Sequence, residues 1–381
     1  MNKKILLSPP HLSGSELKYV EDAFESNWIA PDGTNTIAFE KLISNYTGCY
    51  TQTVNSGTSA LHLALCVLDI KEDDIVFCQS LTFAASAFPI RYMRAIPVFI
   101  DSEPRTWNID PTLLEEALDL YAKKGKLPKA IIITHIYGMP ADMKLILAIA
   151  AKYDVPVIED AAEAFGSFYY NKPCGSLADL SIYSFNGNKI LTTSGGGALM
   201  SKNESFILRA KKISNQAKEN ASYYEHCQIG YNYRLSNICA GIGRGQFEIL
   251  NKRVEKKREI FEKYKTYLSA IYDVGFQQED EFTKSNRWLS VFLFDYNGFG
   301  QNLIEKLIDQ LAVSNIESRH VWKPMHRQPV FTDCPSFING VSDNLFENGI
   351  CLPSGTAMTD AEIDFVASLV TKTLQSKMKF A

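Results

Sequence analysis

The feature that most constrains the fold is an alternation of short apolar segments with helical segments over residues 75–160. The apolar segments are rich in Val and Ile, and helical segments of ten or more residues separate them. Strands that alternate with helices in this way pair mainly in parallel, and their ligands bind at the carboxyl ends of the strands. The pattern therefore predicts a wound α/β sheet. Its segments are Ile75 to Phe77, Ala84 to Met93, Ile96 to Ile100, Pro111 to Lys123, Ala130 to His135, Met143 to Tyr153 and Val155 to Asp160.

The last third of the chain has a different pattern and predicts a second domain. At 381 residues the chain exceeds the size at which a single core usually keeps growing. One long helix with an apolar stripe is predicted from Gly243 to about Tyr272, and strands and helices mix after Asn286. We therefore expect a large, mainly parallel-sheet domain over residues 1–250 and a smaller α+β domain over residues 251–381.

Near the N-terminus, Leu17, Val20 and Phe24 recur at helical spacing and predict an amphipathic opening helix between Ser13 and Trp28. Trp28 stands before a turn rich in Pro, Asp and Gly. Two interpretations of this residue remain open, a core position or a position beside a ligand.

Charge and cysteine content exclude several classes of function. The 39 Lys and Arg residues against 43 Asp and Glu give a formal net charge of -4, without the basic stripe typical of nucleic-acid binding. The eight scattered cysteines form no C-x-x-C pair, so we expect reduced core residues, and we predict no metal ligands. The longest apolar run, Leu145 to Ala151, is too short to cross a bilayer, and MNKKILLSPP lacks the apolar core of a signal peptide. A cytoplasmic protein without a membrane partner is expected.

Two segments combine small and acidic residues at the ends of predicted strands. Gly57, Thr58 and Ser59 stand where an extended segment becomes a helix, and the free amides and dipole of a helix start suit an anion, although such residues also serve as ordinary caps. Asp160 ends an apolar strand and Glu163 follows three residues later. Each acid is interpreted either as the partner of a protonated heterocyclic nitrogen or as a helix-start acid that complements the dipole.

Lys189 lies between an apolar strand and a glycine cluster. A lysine there is either a nucleophile or a solvated loop residue. In combination with the anion site at Gly57 to Ser59 and with Asp160, it suggests pyridoxal phosphate (PLP). That cofactor requires a phosphate cradle, an acid beside its pyridine nitrogen, and an amine.

The sequence resembles the fold-type I PLP-dependent sugar-nucleotide aminotransferases of the DegT/DnrJ/StrS group over essentially its whole length. The motifs that carry the resemblance are NSGTSALHLAL, LTF at Leu81 to Phe83, VIEDAAEAFGS, SFNGNKILTTSGGG, GYNYRLSN and CLPSGTAM. Within the group, the chain is similar to the transaminases that make UDP-N-acetylbacillosamine precursors, which SPPH, SNRWLS and KPMH also match.

The resemblance implies a role for each matching residue. Lys189 corresponds to the Schiff-base lysine, and Asp160 corresponds to the acid that pairs with the pyridinium nitrogen and makes the ring an electron sink. The other positions implied for the cofactor are Gly57, Thr58, Ser59 and Ser184 at the phosphate, Phe83 stacked on the ring, and Asn232 reaching the phosphate from the other subunit of a homodimer.

Several positions keep alternatives. Glu163 departs from the commonest motif of the group, in which an amide side chain often occupies this position. Two roles therefore stay open for it: contact with the cofactor or the sugar, or an acid at the start of a helix. Arg319 and His320 suit a diphosphate or an amino-acid carboxylate. His326 is either on the substrate side, as the resemblance implies, or a packed structural residue. Trp28 is a further substrate-side candidate.

The resemblance implies an aminotransferase that moves an amino group from an amino acid, expected to be L-glutamate, to the C4 ketone of a UDP-linked 4-keto-6-deoxy-N-acetylhexosamine. A PLP ping-pong reaction in bacterial polysaccharide or glycoprotein biosynthesis is expected. The alternatives are an aminotransferase for another keto-sugar, of the GDP-perosamine or 3-keto type, and a PLP-binding regulatory module without turnover. A sugar 3-dehydrase is disfavoured, because those enzymes have histidine where Lys189 stands.

Overall fold

The computed structural model describes residues 4–270, 274–294 and 302–378. Within these ranges the strands are β1 Tyr50–Val54, β2 Ile75–Gln79, β3 Ile96–Ile100, β4 Ala130–Thr134, β5 Val157–Asp160, β6 Phe168–Tyr169, β7 Lys172–Pro173, β8 Leu180–Ser184, β9 Gly197–Ser201, β10 Val274–Gly275, β11 Thr283–Lys284, β12 Ser290–Phe294, β13 Arg319–His320, β14 Ser336–Phe337 and β15 Gly349–Leu352. The α-helices are α1 Glu16–Glu25, α2 Thr34–Thr47, α3 Gly57–Val67, α4 Ala84–Tyr92, α5 Pro111–Lys123, α6 Met143–Lys152, α7 Glu204–Ser214, α8 Asn237–Phe247, α9 Leu250–Ser269, α10 Leu303–Val313, α11 Val341–Asn348 and α12 Asp360–Met378.

The large sheet has eight strands in the order β1-β9-β8-β5-β4-β2-β3-β14. From β8 to β14 every neighbouring pair is parallel, and β9 alone runs antiparallel to its two neighbours. All five residues of β4 are buried, as expected for a strand covered on both faces. This sheet confirms the predicted α/β class with mainly parallel pairing. Because β5 and β8 are parallel neighbours, Asp160 and Ser184 end at the same edge.

The single long helix predicted from Gly243 is wrong, because the chain breaks between Phe247 and Leu250 into α8 and α9. Glycines of α8 bring it close to other helices: a Cβ on Gly243 would lie 2.6 Å from the Phe39 ring of α2, and one on Gly245 would lie 2.7 Å from the Glu16 nitrogen of α1. Helix α9 packs instead against α12 and β12. Helices α8 and α9 therefore pack against different parts of the protein and do not form one continuous helix.

The opening helix exists, but the predicted stripe is not its inner face. Leu17 and Phe24 are 64% and 61% exposed, whereas Glu16 and Ala23 are buried. The glycines of α8 allow the backbone of α1 to approach closely. As a result, the side of α1 that carries Glu16 and the small Ala23 is buried, rather than the side that carries Leu17 and Phe24. The Glu16 carboxylate accepts hydrogen bonds from the backbone nitrogens of Ser13 and Gly14, at 2.6 and 2.9 Å.

The second sheet has the order β10-β12-β15-β13 and, with α9, α10 and α12, encloses a separate apolar cluster. Part of the later chain returns to the large sheet: β14 extends it beside β3, and Met325 and Phe331 pack in its core. The division of the chain at residue 250 stays a prediction. In the described part of the chain, no helix has both the length and the apolarity needed to cross a membrane.

Candidate active site

A cavity of about 940 Å³ lies at the carboxyl edge of the large sheet, between this sheet and residues of the second sheet. Its walls come from the ends of β4, β5 and β8, from the start of α3, and from the segment around β13. Most of the candidate residues predicted from sequence are brought together here. Those that line the cavity are Gly57, Thr58, Phe83, Asp160, Glu163, Ser184, Lys189, Arg319 and His320.

Lys189 follows β8 in a turn and extends into the cavity, with only 11% of its side chain exposed. Its Nζ donates a hydrogen bond to Glu163 Oε1 at 3.2 Å. The same nitrogen lies 4.1 Å from the centroid of the Trp288 ring. The interpretation as a solvated loop lysine is therefore wrong, because this amine is nearly buried and faces a carboxylate and an aromatic surface.

Asp160 is buried at the end of β5, and no cation among the described residues is in hydrogen-bonding contact with it. Its carboxylate accepts hydrogen bonds from Ser86 Oγ at 2.7 Å and from the Ala162 nitrogen at 3.1 Å. Burial raises the pKa of Asp160 against the lowering effect of these bonds. A buried carboxylate that lines a cavity and lacks a cation is suited to a positively charged group of a ligand.

The start of α3 forms a further part of the cavity wall. Ser56 caps the helix by accepting a hydrogen bond from the Ser59 nitrogen at 3.0 Å, and Gly57 and Thr58 follow at the cavity wall. A Cβ on Gly57 would lie 2.9 Å from the Ser184 Cβ, so only glycine leaves room here. First-turn amides beside a hydroxyl are a suitable binding site for a phosphate.

Glu163 lies in a turn after β5, so the interpretation as a helix-start acid is wrong for this residue. It is 3% exposed and accepts a hydrogen bond from the Tyr137 nitrogen at 2.7 Å, besides that from Lys189. Burial raises its pKa, and the nearby Lys189 acts in the opposite direction. Glu163 therefore contacts the Lys189 amine directly and belongs to the cavity.

Four candidate residues lie outside the wall of this cavity. Ser59 donates its hydroxyl to Asn55 Oδ1 at 2.7 Å. His326 contacts Ser80 Oγ at 2.7 Å through Nδ1. Trp28 is 51% exposed, and its Nε1 donates to a backbone carbonyl three residues later. Asn232 is exposed, and its carbonyl oxygen accepts a hydrogen bond from Asn55 of the same chain at 3.2 Å.

Two tryptophans of the cavity were not chosen from the sequence. The Trp322 ring lies 5.3 Å from that of Phe83 and 5.1 Å from that of Tyr137, and Trp288 is the neighbour of Lys189. Both stand within or next to motifs that carry the resemblance, SNRWLS and KPMH. The position of these aromatic residues in or beside such motifs is the sequence signal that could have identified both as candidates.

A second cluster, behind the sheet edge, has the residue types of a metal site. Ligand atoms of His135, Glu159 and Cys174 lie within 4.8 Å of one another and are all buried. The Glu159 carboxylate already accepts hydrogen bonds from the His135 ring, two backbone nitrogens and the Ser181 hydroxyl. Although burial acts to raise it, these bonds hold the pKa of Glu159 below its usual value. The cluster is therefore a hydrogen-bonded support of the core.

The sequence matches the model of the DegT/DnrJ/EryC1/StrS aminotransferase family over residues 10–371. The chain belongs to this family. It therefore has the fold-type I architecture and is an enzyme, so the alternative of a regulatory module without turnover does not apply.

The names of three relatives point to aminotransferase chemistry or to amino-sugar synthesis, and two of them name different sugars. The chain is 49% identical to EpsN of Bacillus subtilis, a pyridoxal phosphate-dependent aminotransferase by name, over 95% of this chain and 94% of EpsN. It is 34% identical to the GDP-perosamine synthase of Escherichia coli O157:H7, over 98% and 100% of the two chains. It is 30% identical to a UDP-4-amino-4,6-dideoxy-N-acetyl-beta-L-altrosamine transaminase of Campylobacter jejuni, over 98% and 99%. A special closeness to bacillosamine-type enzymes is not confirmed.

The fold is also that of solved sugar aminotransferases. The PMP form of Spr1654 from Streptococcus pneumoniae has a TM-score of 0.90 at 25% identity, with 99% of each chain covered. The same protein is known in a PLP form. Pyridoxal phosphate is thus the cofactor of this family member, and the buried Asp160, the amides of the α3 start and the amine of Lys189 fit its three chemical needs.

Proposed function

We propose that this aminotransferase moves the amino group of L-glutamate to the C4 ketone of a UDP-linked 4-keto-6-deoxy-N-acetylhexosamine, in a ping-pong reaction for bacterial glycan biosynthesis. The observation that carries the proposal is the convergence of Lys189, Asp160 and Gly57 on one cavity. The UDP-linked substrate is supported by the name of the Campylobacter jejuni relative and by the resemblance carried by SPPH, SNRWLS and KPMH.

In this proposal two residues act on the reacting atoms. When bound, PLP supplies an electron sink for the carbon that loses or gains a proton. Lys189 holds the cofactor and, once its amine is free, carries a proton on Nζ between the Cα of the amino donor and the cofactor carbon. Asp160 keeps a negative charge at the pyridine nitrogen, where its burial strengthens the pairing.

The remaining cofactor contacts are proposed by position. The amides of Gly57 and Thr58 and the hydroxyl of Ser184 bind the phosphate at the start of α3, and Ser59 supports them from behind. Phe83, which is 58% exposed in the free chain, stacks on the cofactor ring.

On the substrate side, Arg319 and His320 line the cavity and offer positive charge to a donor carboxylate or to the diphosphate of the sugar nucleotide. Arg319 Nη2 donates to Glu317 Oε1 at 2.8 Å, so a substrate anion competes with this acid. His326 contacts Ser80 and does not line the cavity. Its proposed effect on the substrate is therefore indirect and acts through the KPMH segment to which it belongs.

The enzyme is proposed to act as a homodimer. Asn232 is exposed and is expected to reach the phosphate of a second copy, and Trp28 likewise requires a partner to meet a substrate. Exposed apolar side chains around α1 support this proposal, because such patches mark interfaces. They are Leu12, Leu17, Phe24, Trp28 and Ile29.

Dimer formation is tested by measuring the molar mass of the enzyme by light scattering as it elutes from a size-exclusion column. Replacing Leu17 and Phe24 with serine should shift the mass toward that of one chain, whereas replacing Val313, an exposed apolar residue on α10, should not. An unchanged dimer in the double variant would contradict the proposed interface. The cytoplasmic location stays a prediction.

The substrate is tested by incubating the PLP-loaded enzyme and L-glutamate with UDP-, dTDP- and GDP-linked 4-keto and 3-keto sugars. Product mass and NMR then report the nucleotide and the position of the new amine. Turnover of the UDP-linked 4-keto-N-acetylhexosamine alone supports the proposal. The second candidate is a GDP-linked 4-keto sugar, favoured by the identity to GDP-perosamine synthase, and preferential turnover of that sugar would replace the proposal.

A further inference from the structure

The side chain of Lys189 is held between two buried groups. Its Nζ lies 4.1 Å from the centroid of the Trp288 ring and 3.2 Å from Glu163 Oε1. Trp288 and Glu163 are only 2% and 3% exposed. A lysine cation is attracted to the face of an indole, and the attraction increases where water is excluded. Together, the Trp288 ring and the Glu163 carboxylate form a binding site for the ammonium group of Lys189, which we call the amine seat.

Trp288 is itself fixed in place on three sides. Its Nε1 donates to the carbonyl oxygen of Asn188 at 2.8 Å, so the ring holds both the backbone before Lys189 and the amine of Lys189. Its backbone nitrogen donates to Asn286 Oδ1 at 2.9 Å, and its carbonyl accepts from Lys257 Nζ at 2.8 Å. These bonds leave the indole little freedom to turn away.

The two sides of the seat are also connected to each other. The Asn286 side chain, whose Oδ1 accepts from the Trp288 nitrogen, donates through Nδ2 to the Glu163 carbonyl oxygen at 2.7 Å. One side chain thus sets the distance between the aromatic side and the acidic side. Asn286 is buried at 0% exposure, so the connection is part of the core and not of a mobile surface.

A transaminase lysine needs such a seat because its amine is free during part of each cycle. A long cationic side chain beside an open cavity tends to extend into water. A ring face and a carboxylate at the observed positions oppose this tendency. We propose that Trp288 is a positioning residue, which holds the amine of Lys189 beside Glu163 whenever that amine is not bonded to the cofactor. The inference rests on the proposed role of Lys189.

The main test measures how fast Lys189 is acetylated in the cofactor-free enzyme by a limiting amount of acetic anhydride. Peptide mass spectrometry reads this rate against that of the exposed Lys252 of the same molecule. In Trp288→Met the ring face is lost, and Lys189 should react roughly three- to thirtyfold faster, the range expected for loss of a cation–π contact. In Trp288→Phe a ring face remains, and the rate should stay close to that of the wild type.

Trp107→Leu is the matched control, because Trp107 is equally buried at 2% exposure and lies outside the cavity. It should cost stability and leave the Lys189 rate unchanged. Equal Lys189 rates in Trp288→Met and the wild type, or the same acceleration in Trp107→Leu, would overturn the inference and leave Trp288 as a packing residue.

A second measurement needs no substitution of Trp288 in the tested protein. With 5-fluorotryptophan incorporated, Lys189→Met should shift the fluorine resonance of Trp288 and leave that of Trp107 in place. An unmoved Trp288 resonance would overturn the inference even if Trp288→Met does not fold. The proposed function is tested separately: borohydride reduction of the PLP-loaded enzyme should attach the pyridoxyl group to Lys189, and attachment to another lysine would refute that role whatever the labelling rates show.

Discussion

Lys257 is a buried lysine whose titration should make the stability of the enzyme depend on pH. It is 2% exposed, and its Nζ donates to the carbonyl oxygens of Trp288 and Ser354 at 2.8 and 2.9 Å. Burial, together with the smaller effect of Arg253, lowers the pKa of Lys257 from 10.5 to about 7. The folded enzyme therefore releases this proton at a much lower pH than the unfolded chain does.

The size of the effect follows from these two pKa values. Between them the unfolded chain binds more protons than the folded one, so the free energy of unfolding rises with pH. Below the folded pKa both states carry the proton, and the full cost of burying the charge is present. The whole interval corresponds to about 5 kcal/mol, of which about 3 kcal/mol lies between about pH 6 and about pH 9.

The perturbation is Lys257→Met, which keeps an unbranched side chain and removes the titrating group. Lys252→Met is the matched control, because Lys252 is exposed on the same helix. Urea unfolding of the PLP-loaded enzyme, repeated across this pH range, gives the free energy of unfolding of each protein. Groups common to the three proteins cancel in the differences. The wild type and Lys252→Met should gain about 3 kcal/mol relative to Lys257→Met as the pH rises. An identical pH dependence in Lys257→Met and the wild type would refute the reasoning.

Three substitutions at the cavity have distinct expected results. Lys189→Ala should lower kcat by roughly 10²- to 10⁴-fold, the usual contribution of a positioned acid–base group, and full turnover would disprove the role. Asp160→Asn should weaken PLP binding in a fluorescence titration. The cofactor-free variant should be at least as stable as the cofactor-free wild type, because the substitution removes a buried charge that no cation contacts, and marked destabilisation would argue against this account. Gly57→Ala should weaken PLP binding, since its Cβ would lie 2.9 Å from that of Ser184, whereas Gly187→Ala, with 4.0 Å to its nearest atoms, should not. Equal affinities in the two variants would contradict the cradle.

The strands and helices between residues 75 and 160 could be predicted because their signals are local. Helix α5 has Pro111 at its first position and Asp110 as its cap, which accepts a hydrogen bond from the Thr112 nitrogen at 2.8 Å. Buried Val and Ile runs mark the neighbouring strands. Since parallel strands end at a common edge, the positions of Asp160 and Lys189 at that edge followed from the same pattern.

Helix α2 was not predicted, because its buried face is partly polar. Asn35 and Thr36 are buried along with Phe39 and Ile43, which hides the apolar periodicity. The Asn35 side chain donates to the Tyr19 carbonyl at 2.7 Å and accepts from Arg244 at 2.6 Å. Tyr19 is 16 residues away from Asn35 in sequence and Arg244 is 209 residues away, so both partners lie outside the helix and no local pattern predicts these contacts.

The neighbours of the reactive amine show the same limit of local patterns. Lys189 follows β8 of the large sheet, whereas Trp288 precedes β12 of the second sheet, and its carbonyl oxygen accepts a hydrogen bond from Lys257 of α9. Ser8, near the start of the chain, donates to the same Asn188 carbonyl as the indole does, at 3.0 Å. Residues 1–250 therefore contain the proposed phosphate-binding residues at the start of α3 and Asp160, whereas Trp288 lies outside them. The contact between the Trp288 ring and Lys189 Nζ therefore forms only when the second sheet is packed against the large one, which no pattern within residues 1–250 could predict.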